Sequence, residues 1–382
     1  MNILIDMDEV SLQRLHASIP IYIMRLVSAI KPEDRKHYIL LISRDIESYI
    51  RSRFPDFRVI VYRKFGGRII KGIKTPLYYC YQYKLRQIIE RYNVDCVFIP
   101  TDFQWLTSFK FKCRKVIVVH DLKGIKQRID TWHQAKHVLN LYGMYKKAFK
   151  YADEIIAISK YTKQDIEIYY PEYPIEKIRV VYNSVVLPPE SRKPQGFYSS
   201  GYVLYVNTLN KYKNIFTLVK AFSRIKHCLD KQLVVVGRET EHWREAVMPY
   251  IRKNGLEKNI IRLQNLTDEE LRYLYEHAAF FVTPSLNEGF GYTPIEAAMC
   301  GCPVISSIQE ALPDSTQGLL NYYHPAMDAD VLANKILAVL ENPPVQETLL
   351  RIAETYKKLY APIRQVEKIQ AILFAEELRS KE

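Results

Sequence analysis

In residues 284–298 the chain reads Pro284-Ser285-Leu286-Asn287-Glu288-Gly289-Phe290-Gly291-Tyr292-Thr293-Pro294-Ile295-Glu296-Ala297-Ala298. The apolar run before it, at 278–282, predicts a buried strand, and the end of the segment predicts a helix. Two carboxylates, with seven residues between them, therefore flank a glycine-containing turn where a helix starts. Free N–H groups and the positive dipole end of such a turn suit an anion or sugar hydroxyls. Glycine also lets a ligand approach the backbone closely, so the segment predicts a ligand site.

Short apolar runs alternate with helical patterns along the whole chain. The runs predict strands at 2–5, 38–43, 58–62, 95–99, 115–119, 154–158 and 179–182, and again at 202–206, 232–236, 260–263, 279–282 and 303–306. Amphipathic stretches lie between them, for example at 12–30 and 78–92, and a last helix is predicted at 364–378. Such alternation is typical of parallel sheets covered by helices on both faces. With a polar, proline-containing linker at 188–201, it predicts an α/β chain of two doubly wound, Rossmann-like domains.

Composition is that of an ordinary globular protein. A length of 382 residues favours two domains, and 48% hydrophobic residues are enough for their cores. The six cysteines form no Cys-x-x-Cys pair and indicate reduced thiols. We find no run that could span a bilayer and no signal peptide. The expected location is therefore the cytoplasm.

Charge is concentrated in the first half of the chain. Residues 1–200 hold 34 Lys and Arg against 20 Asp and Glu, a net of +14, whereas residues 201–382 have a net of −1. This asymmetry predicts an anionic partner for the first domain. Segments 63–74 and 78–86 interleave cations with aromatic and aliphatic side chains, the two components of peripheral membrane binding. They predict attachment to an anionic membrane surface, on the inner face of the plasma membrane; a solvated face or a groove for an anionic glycan are the alternatives.

Several segments resemble glycosyltransferase family 4, whose members are retaining enzymes of the GT-B fold. Glu288 and Glu296 have the spacing of its Glu-x7-Glu signature. Residues 118–122, Val-Val-His-Asp-Leu, resemble its strand-ending His-Asp-Leu. Further matching segments are 152–163, 181–185, 205–209 followed by Lys213-Asn214, and 312–314. The resemblance covers nearly the whole chain.

The resemblance implies a domain plan and an activity. An N-terminal acceptor-binding domain (1–187) and a C-terminal nucleotide-sugar-binding domain (202–361) would face each other across a cleft, joined by the linker 188–201. The C-terminal helix (362–382) would pack back on the first domain. The implied reaction moves a hexosyl unit from a nucleoside-diphosphate sugar to a glycan or lipid-linked glycan, in bacterial surface polysaccharide synthesis. No metal or other cofactor is implied, because fixed positive groups can stabilise the leaving diphosphate.

The same resemblance assigns roles to residues. The implied catalytic residues are His120 near the transferred sugar, Lys213 at the diphosphate and Glu288 near the sugar. Glu296 would bind the ribose hydroxyls. The implied donor-binding residues are Gly289, Phe290, Gly291, Tyr292, Thr293, Glu296 and Thr208.

The chain departs from the family pattern at three motifs. Ser18-Ile19-Pro20-Ile21-Tyr22 stands where many members have a glycine-rich loop. Thr208 stands where many have arginine, and Asn207 where they have glycine. Asn183-Ser184-Val185 stands in place of the usual Asn-Gly-Val. A catalytically weak or inactive sugar-nucleotide-binding protein of the same fold is therefore an alternative.

Two other classes of function remain as alternatives at this point. Asp6-Met7-Asp8 follows the first predicted strand and matches the nucleophile motif of haloacid-dehalogenase-like phosphatases. That class also needs a late acidic pair for magnesium, and the sequence has no convincing one. Nucleic-acid binding would use the basic half, but no nucleic-acid-binding motif accompanies its charge.

Overall fold

The computed structural model describes residues 1–15, 17–62, 74–101, 110–127, 129–199 and 201–375, and for 74–82 the backbone. The chain divides into two compact units: one joins Met1–Ser184 with the chain from Pro362 onward, and the other is Val185–Ala361. The segments 63–74 and 78–86, predicted to bind a membrane, lie outside the described side chains except for residues 83–86. The end of the predicted last helix, beyond residue 375, lies outside the described residues too.

The first unit is built on a seven-stranded sheet in which all the strands are parallel. The strands are β1 Ile3–Asp6, β2 Tyr38–Ser43, β3 Arg58–Tyr62, β4 Cys96–Ile99, β5 Arg114–Val119, β6 Glu154–Ala157 and β7 Ile178–Val180. Their order in the sheet is β3-β2-β1-β4-β5-β6-β7. The helices up to β7 are α1 Ser18–Ser28, α2 Glu47–Arg53, α3 Lys74–Arg91, α4 Lys123–Lys126, α5 Trp132–Lys150 and α6 Lys160–Tyr169, with 3-10 turns at Leu12–Arg14, Pro32–His37, Arg44–Ile46 and Ile175–Lys177.

Burial on both faces explains why these strands read as continuous apolar runs. All residues of β1, β2 and β4 are buried. Crossover helices cover both faces of a parallel sheet, so neither face needs polar residues. The predicted strands of this unit are confirmed to within two residues at each end.

Helix α1 corrects one expectation for the N-terminal part. The helical pattern at 12–30 is interrupted, since a 3-10 turn at Leu12–Arg14 precedes α1. Ser18–Tyr22, which stands where many family members have a glycine-rich loop, forms the first turns of α1, as the helical pattern predicts. Pro20 is tolerated there because the first four N–H groups of a helix have no intrahelical acceptor.

The second unit holds a six-stranded, all-parallel sheet. The strands are β8 Val203–Val206, β9 Leu233–Val236, β10 Ile260–Leu263, β11 Phe280–Thr283, β12 Val304–Ser307 and β13 Asn321–Tyr323. Their order in the sheet is β10-β9-β8-β11-β12-β13. The helices are α7 Ile215–Ile225, α8 Met248–Lys253, α9 Asp268–His277, α10 Tyr292–Met299, α11 Leu312–Ser315, α12 Ala329–Glu341 and α13 Gln346–Leu359, with a 3-10 turn at Lys211–Lys213 and a π-helix at Trp243–Val247.

Among the described residues of this unit, strand β13 is the one strand that the sequence pattern missed. It has only three residues, Asn321–Tyr323, of which only Tyr323 is fully buried. Its pairing with β12 supplies the backbone hydrogen bonds that its composition does not predict. The α/β class with two doubly wound sheets is confirmed.

Helix α14, Pro362–Leu373, belongs to the first unit although it follows the second in sequence. Arg114 Nη1 donates to the carbonyls of Ile372 (2.7 Å) and Leu373 (3.0 Å), so a cation satisfies free carbonyls at the helix C-terminus. Gln370 Nε2 also donates to Asp34 Oδ2, at 3.0 Å. These contacts attach α14 to the N-terminal part of the chain. Among the helices within the described ranges, none has the length and apolarity needed to cross a membrane.

Candidate functional site

Three loops meet at the carboxyl edge of the second sheet. Strands β8, β11 and β12 are neighbours, and each runs in the same direction. The loops that follow them start at residues 207, 284 and 308. Ligands of open parallel sheets bind at this edge, so the segment 284–298 lies where a ligand site is expected.

An ion pair lies at the centre of these loops. Lys213 Nζ is 2.6 Å from Glu288 Oε1, and both side chains are only 11% exposed. The same ammonium lies 3.5 Å from the carbonyl oxygen of Asn287. The structure thus brings together two residues that lie far apart in sequence and that the resemblance assigned to catalysis.

Asn214 fixes the position of Lys213. Its φ of 57° lies in the left-handed region, which asparagine tolerates better than most residues. Its buried Nδ2 donates to Pro284 O at 3.0 Å and Ala326 O at 2.9 Å. The turn before α7 is therefore fastened to the loop that follows β11, and the lysine is held against that loop.

Asn207, which stands where many family members have glycine, contacts the ion pair. Its Nδ2 donates to Glu288 Oε1 at 3.3 Å, and its Oδ1 accepts from the N–H of Thr208 at 2.9 Å. Thr208 itself is exposed. The side chain that glycine would lack thus supplies a neutral hydrogen-bond donor to the carboxylate.

A third carboxylate, Glu310, holds the loop that carries Glu288. Its Oε1 accepts from Asn287 Nδ2 at 2.9 Å, and its Oε2 accepts from the N–H of Glu288 at 3.0 Å. The N–H of Ala311 donates back to Glu288 O at 3.3 Å. Sequence reasoning missed this residue. The available signal was its position shortly after β12, at the carboxyl end of the strand next to β11.

Helix α10 begins beside this loop. Its N-cap, Gly291, has a φ of 87°, and a Cβ there would lie 2.7 Å from Leu312 Cδ2. Glycine is therefore required both for the backbone conformation and for space. Residues Tyr292 and Thr293, half-buried, form the first turn of the helix, where N–H groups point out of its end. Gly289, also half-buried, lies in the turn before it.

The side chain of Phe290 packs inward. It is 3% exposed and makes edge-to-face contacts with Tyr292 (5.1 Å between ring centroids) and Tyr360 (5.4 Å). Only its backbone is therefore open to a donor. The ring anchors the turn before α10 in the core.

Glu296 lies one turn further along α10 and is half-buried. Its Oε2 accepts a hydrogen bond of 3.1 Å from the hydroxyl of Tyr275. Burial, followed by the nearby Glu296 charge, raises the pKa of Tyr275 well above its usual range. The phenol therefore stays protonated and orients the carboxylate.

His120 lies in the first unit, directly after β5. Its Nε2 is 3.0 Å from the carbonyl of Pro100, which can only accept, so Nε2 carries the proton. Its ring makes an edge contact with Tyr22, at 4.9 Å. Burial lowers the pKa of His120 from its usual value, so the ring is neutral near pH 7 and Nδ1 can accept a hydrogen bond. Asp121 beside it accepts from the N–H of Lys123 at 3.0 Å, a local turn contact.

Two family models match consecutive parts of the chain. The model "Glycosyltransferase Family 4" matches residues 22–187, and "Glycosyl transferases group 1" matches residues 189–358. The chain belongs to glycosyltransferase family 4. The phosphatase alternative is therefore wrong, and Asp6 is fully buried with its Oδ1 accepting from the N–H of Asp8 at 3.0 Å.

Bacterial relatives of this family 4 chain act in O-antigen assembly according to their names. The "O-antigen chain mannosyltransferase B" of Escherichia coli is 27% identical over 245 residues, which cover 61% of this chain and 63% of that protein. The "O-antigen chain mannosyltransferase RfbU" of Salmonella typhimurium is 28% identical over 193 residues, covering 50% of this chain and 52% of that protein. The match thus spans between half and two thirds of these relatives.

Solved structures show the GT-B fold of this family 4 chain. A sucrose-phosphate synthase from Thermosynechococcus elongatus superposes with a TM-score of 0.71 at 20% identity, covering 98% of this chain and 100% of the other. Anabaena Alr3699/HepE in complex with UDP gives 0.70 at 18% identity, with full coverage of both. Within the part of the chain that the structure describes, no group of three or more His, Cys, Asp and Glu side chains is arranged to hold a metal ion.

Proposed function

We propose that this chain is a retaining, metal-independent glycosyltransferase that moves a hexosyl unit from a nucleoside-diphosphate sugar to a glycan or lipid-linked glycan in bacterial surface polysaccharide synthesis. The ion pair between Lys213 and Glu288 at the carboxyl edge of the second sheet carries the proposal. The names of the bacterial relatives favour mannose as the hexosyl unit.

The donor would be bound along the loops described above. Glu296, oriented by Tyr275, would accept hydrogen bonds from the ribose hydroxyls. Lys213 and the N–H groups at the start of α10 would face the diphosphate. His120 would accept a hydrogen bond from a hydroxyl of the transferred sugar through Nδ1.

Charge development at the leaving group sets the catalytic requirement. When the bond between the anomeric carbon and the diphosphate oxygen breaks, the diphosphate leaves with the electron pair. The acceptor hydroxyl oxygen would form the new bond to the anomeric carbon and pass its proton to the departing diphosphate. Lys213 is already paired with Glu288, so its field at the diphosphate is reduced. The dipole of α10, roughly half a positive charge, and neutral donors such as Asn207 would add to it.

The acceptor would be lipid-linked, with the first domain docked on an anionic membrane surface. The net charge of +14 in residues 1–200 supports this. A donor-binding protein without turnover is the second candidate, favoured by Thr208 at the position where many members place an arginine. Direct assays of sugar transfer and donor hydrolysis distinguish the two.

Ligand titration of variants tests the donor site. We would screen nucleoside diphosphates and their mannose and glucose conjugates by thermal shift, since a bound ligand raises the unfolding temperature. For the diphosphate that binds, Glu296→Ala should weaken affinity by roughly tenfold to a hundredfold, equivalent to about 1.5–3 kcal/mol for a hydrogen bond to a charged group. Lys213→Ala should instead lower mainly the turnover number, because its contact strengthens in the transition state.

Exposed residues of the same unit provide matched controls. Glu341→Ala and Lys253→Ala should change neither affinity nor turnover. Unchanged calorimetric affinity in Glu296→Ala would remove this residue from the site, and a chain that binds none of the nucleotides would refute the proposed function.

A further inference from the structure

Helix α5 carries a solvent-facing stripe that combines cations with large apolar side chains. Six residues lie at helical spacings that place them on one side of the helix: Trp132, Lys136, Leu139, Gly143, Lys147 and Lys150. Trp132 is 75% exposed and Leu139 65% exposed, and the three lysines are exposed as well. We call this set of six residues the α5 outer face.

The opposite side of α5 fixes the orientation of this face. Val138, Tyr145, Ala148 and Phe149 are buried in the core of the first unit. The helix start is fixed by a capping box, in which Thr131 Oγ1 accepts from the N–H of Gln134 and the Gln134 side chain accepts from the N–H of Thr131. The exposed tryptophan therefore results from the register of the helix and not from a loose terminus.

The charge of the helix has one sign. Residues 131–150 contain four lysines and no Asp or Glu. Lys146, on the flank, pairs with Glu172 at 3.3 Å, and the Lys150 ammonium lies 5.9 Å from the centre of the Tyr151 ring. Such a row of lysines beside an interfacial tryptophan and a leucine matches a surface that is anionic and apolar beneath, which is the character of an anionic lipid bilayer.

We infer that the α5 outer face docks on an anionic lipid bilayer. Trp132 and Leu139 enter the interface. The lysines contact the headgroups: Lys136, Lys147 and Lys150. The inference extends the membrane docking in the proposed function and names a surface for it among the described residues. Its test uses no sugar donor, so the docking surface and the enzymatic proposal can fail separately.

Vesicle co-sedimentation of the full chain tests the α5 outer face. Vesicles of phosphatidylcholine alone are compared with vesicles containing phosphatidylglycerol, at low and high salt. Each lysine that reaches an anionic surface raises affinity about fivefold. Lys136→Glu/Lys147→Glu should therefore weaken binding to anionic vesicles by at least about 25-fold, and Leu139→Ser should weaken it severalfold.

The second unit offers substitutions of the same chemistry as controls. Lys253→Glu/Lys358→Glu reverses two exposed lysines, and Leu350→Ser removes a leucine that is 53% exposed on α13. Both controls should bind like the parent chain, and thermal unfolding checks that every variant is folded. If Lys136→Glu/Lys147→Glu does not fold, the inference is tested by comparing the vesicle binding of Leu139→Ser with that of Leu350→Ser.

Three results would overturn the inference. The first is no binding of the parent chain to anionic vesicles, and the second is equal binding to neutral and anionic vesicles. The third is an equal loss in the α5 variants and their controls, which would show that net charge and not this face determines binding.

Discussion

At the scale of the residue, Glu310 organises the candidate site without belonging to any motif. Both of its carboxylate oxygens accept hydrogen bonds from the loop that carries Glu288. Its backbone has a φ of 50°, a conformation that is uncommon for residues other than glycine. Such a backbone conformation costs free energy. We infer that the two hydrogen bonds offset this cost and that Glu310 is a positioning residue.

We predict that Glu310→Ala lowers the ratio kcat/KM of sugar transfer by roughly tenfold to a hundredfold, since two hydrogen bonds to a charged group are lost. Glu310→Gln keeps one acceptor oxygen and should recover part of the loss. Gln309→Ala, at the neighbouring half-buried position, is the control. Equal kinetics of Glu310→Ala and Gln309→Ala would contradict the positioning role.

Lys115 is a buried lysine outside the candidate site. It is 1% exposed at the beginning of β5, and its ammonium lies 5.8 Å from the ring centre of Phe111 and 5.5 Å from that of Tyr151. Burial lowers its pKa to about 7, although the charge of Asp153 opposes the shift. Folding therefore releases a proton between pH 7 and the ordinary lysine pKa.

The sign of the resulting pH dependence follows from proton linkage. In that interval the unfolded chain binds more protons, so the contribution of Lys115 to the free energy of unfolding rises with pH and is lost as pH falls towards 7. We predict that the parent chain gains roughly 2–3 kcal/mol relative to Lys115→Met between pH 7 and pH 9.5. Denaturant unfolding of both proteins at the two pH values measures it; parallel pH profiles would show that the lysine stays charged.

At the scale of the element, the start of α10 depends on one glycine. Gly291 combines a positive φ with a close neighbour, since a Cβ there would lie 2.7 Å from Leu312 Cδ2 and the leucine would have to shift. Gly301, beyond the end of the same helix, also has a positive φ, of 77°, but a Cβ there would meet nothing within 4 Å. The two glycines thus share a backbone requirement and differ in the space around them.

This pair gives a matched test of close packing at the helix start. We expect Gly291→Ala to destabilise the chain by about 1–3 kcal/mol more than Gly301→Ala, which is the usual range for overpacking a core. Denaturant unfolding measures the difference. Nucleotide affinity should also fall only in Gly291→Ala, and equal effects of both changes would argue that Leu312 moves aside without cost.

At the scale of the whole molecule, the chain carries positive charge both at the candidate site and over its first half. Lys213 is held by its carboxylate partner and by the Asn214 turn, and the residues of the first half carry a net +14. Fixed cations and a helix dipole can stabilise a leaving diphosphate in place of a metal ion. In the Asp6-Met7-Asp8 segment, Asp6 is buried and its Oδ1 accepts a hydrogen bond from the N–H of Asp8 at 3.0 Å.

We therefore expect sugar transfer to continue in the presence of EDTA, with a change in its rate of less than about twofold. Such a change is small beside the tenfold change in rate that corresponds to about 1.4 kcal/mol of activation free energy. EDTA saturated with magnesium beforehand is the control for effects of the chelator itself. Complete loss of transfer with free EDTA, restored by manganese or magnesium, would contradict the mechanism.

The pattern of residues was enough to predict the fold class, the family and every described strand except β13. Continuous apolar runs such as those of β2 and β11 are sufficient to predict strands. A strand that is buried on both faces has an apolar composition that few other elements share. The sequence pattern did not predict strand β13, because its three residues are only partly buried and depend on their partner strand for their conformation. The roles of Glu288, Glu296, Lys213 and His120 remain predictions that rest on motif position.

Which side chains meet depends on how the strands and loops pack in three dimensions. The contacts of Glu288 with Lys213, Asn207 and Glu310 join residues from three separate loops. No periodicity in the sequence records such contacts, since they arise when the carboxyl ends of β8, β11 and β12 are aligned by sheet pairing. For the same reason the exposed face of α5 and the buried ammonium of Lys115 could not be read from composition: each depends on which side of an element the core covers.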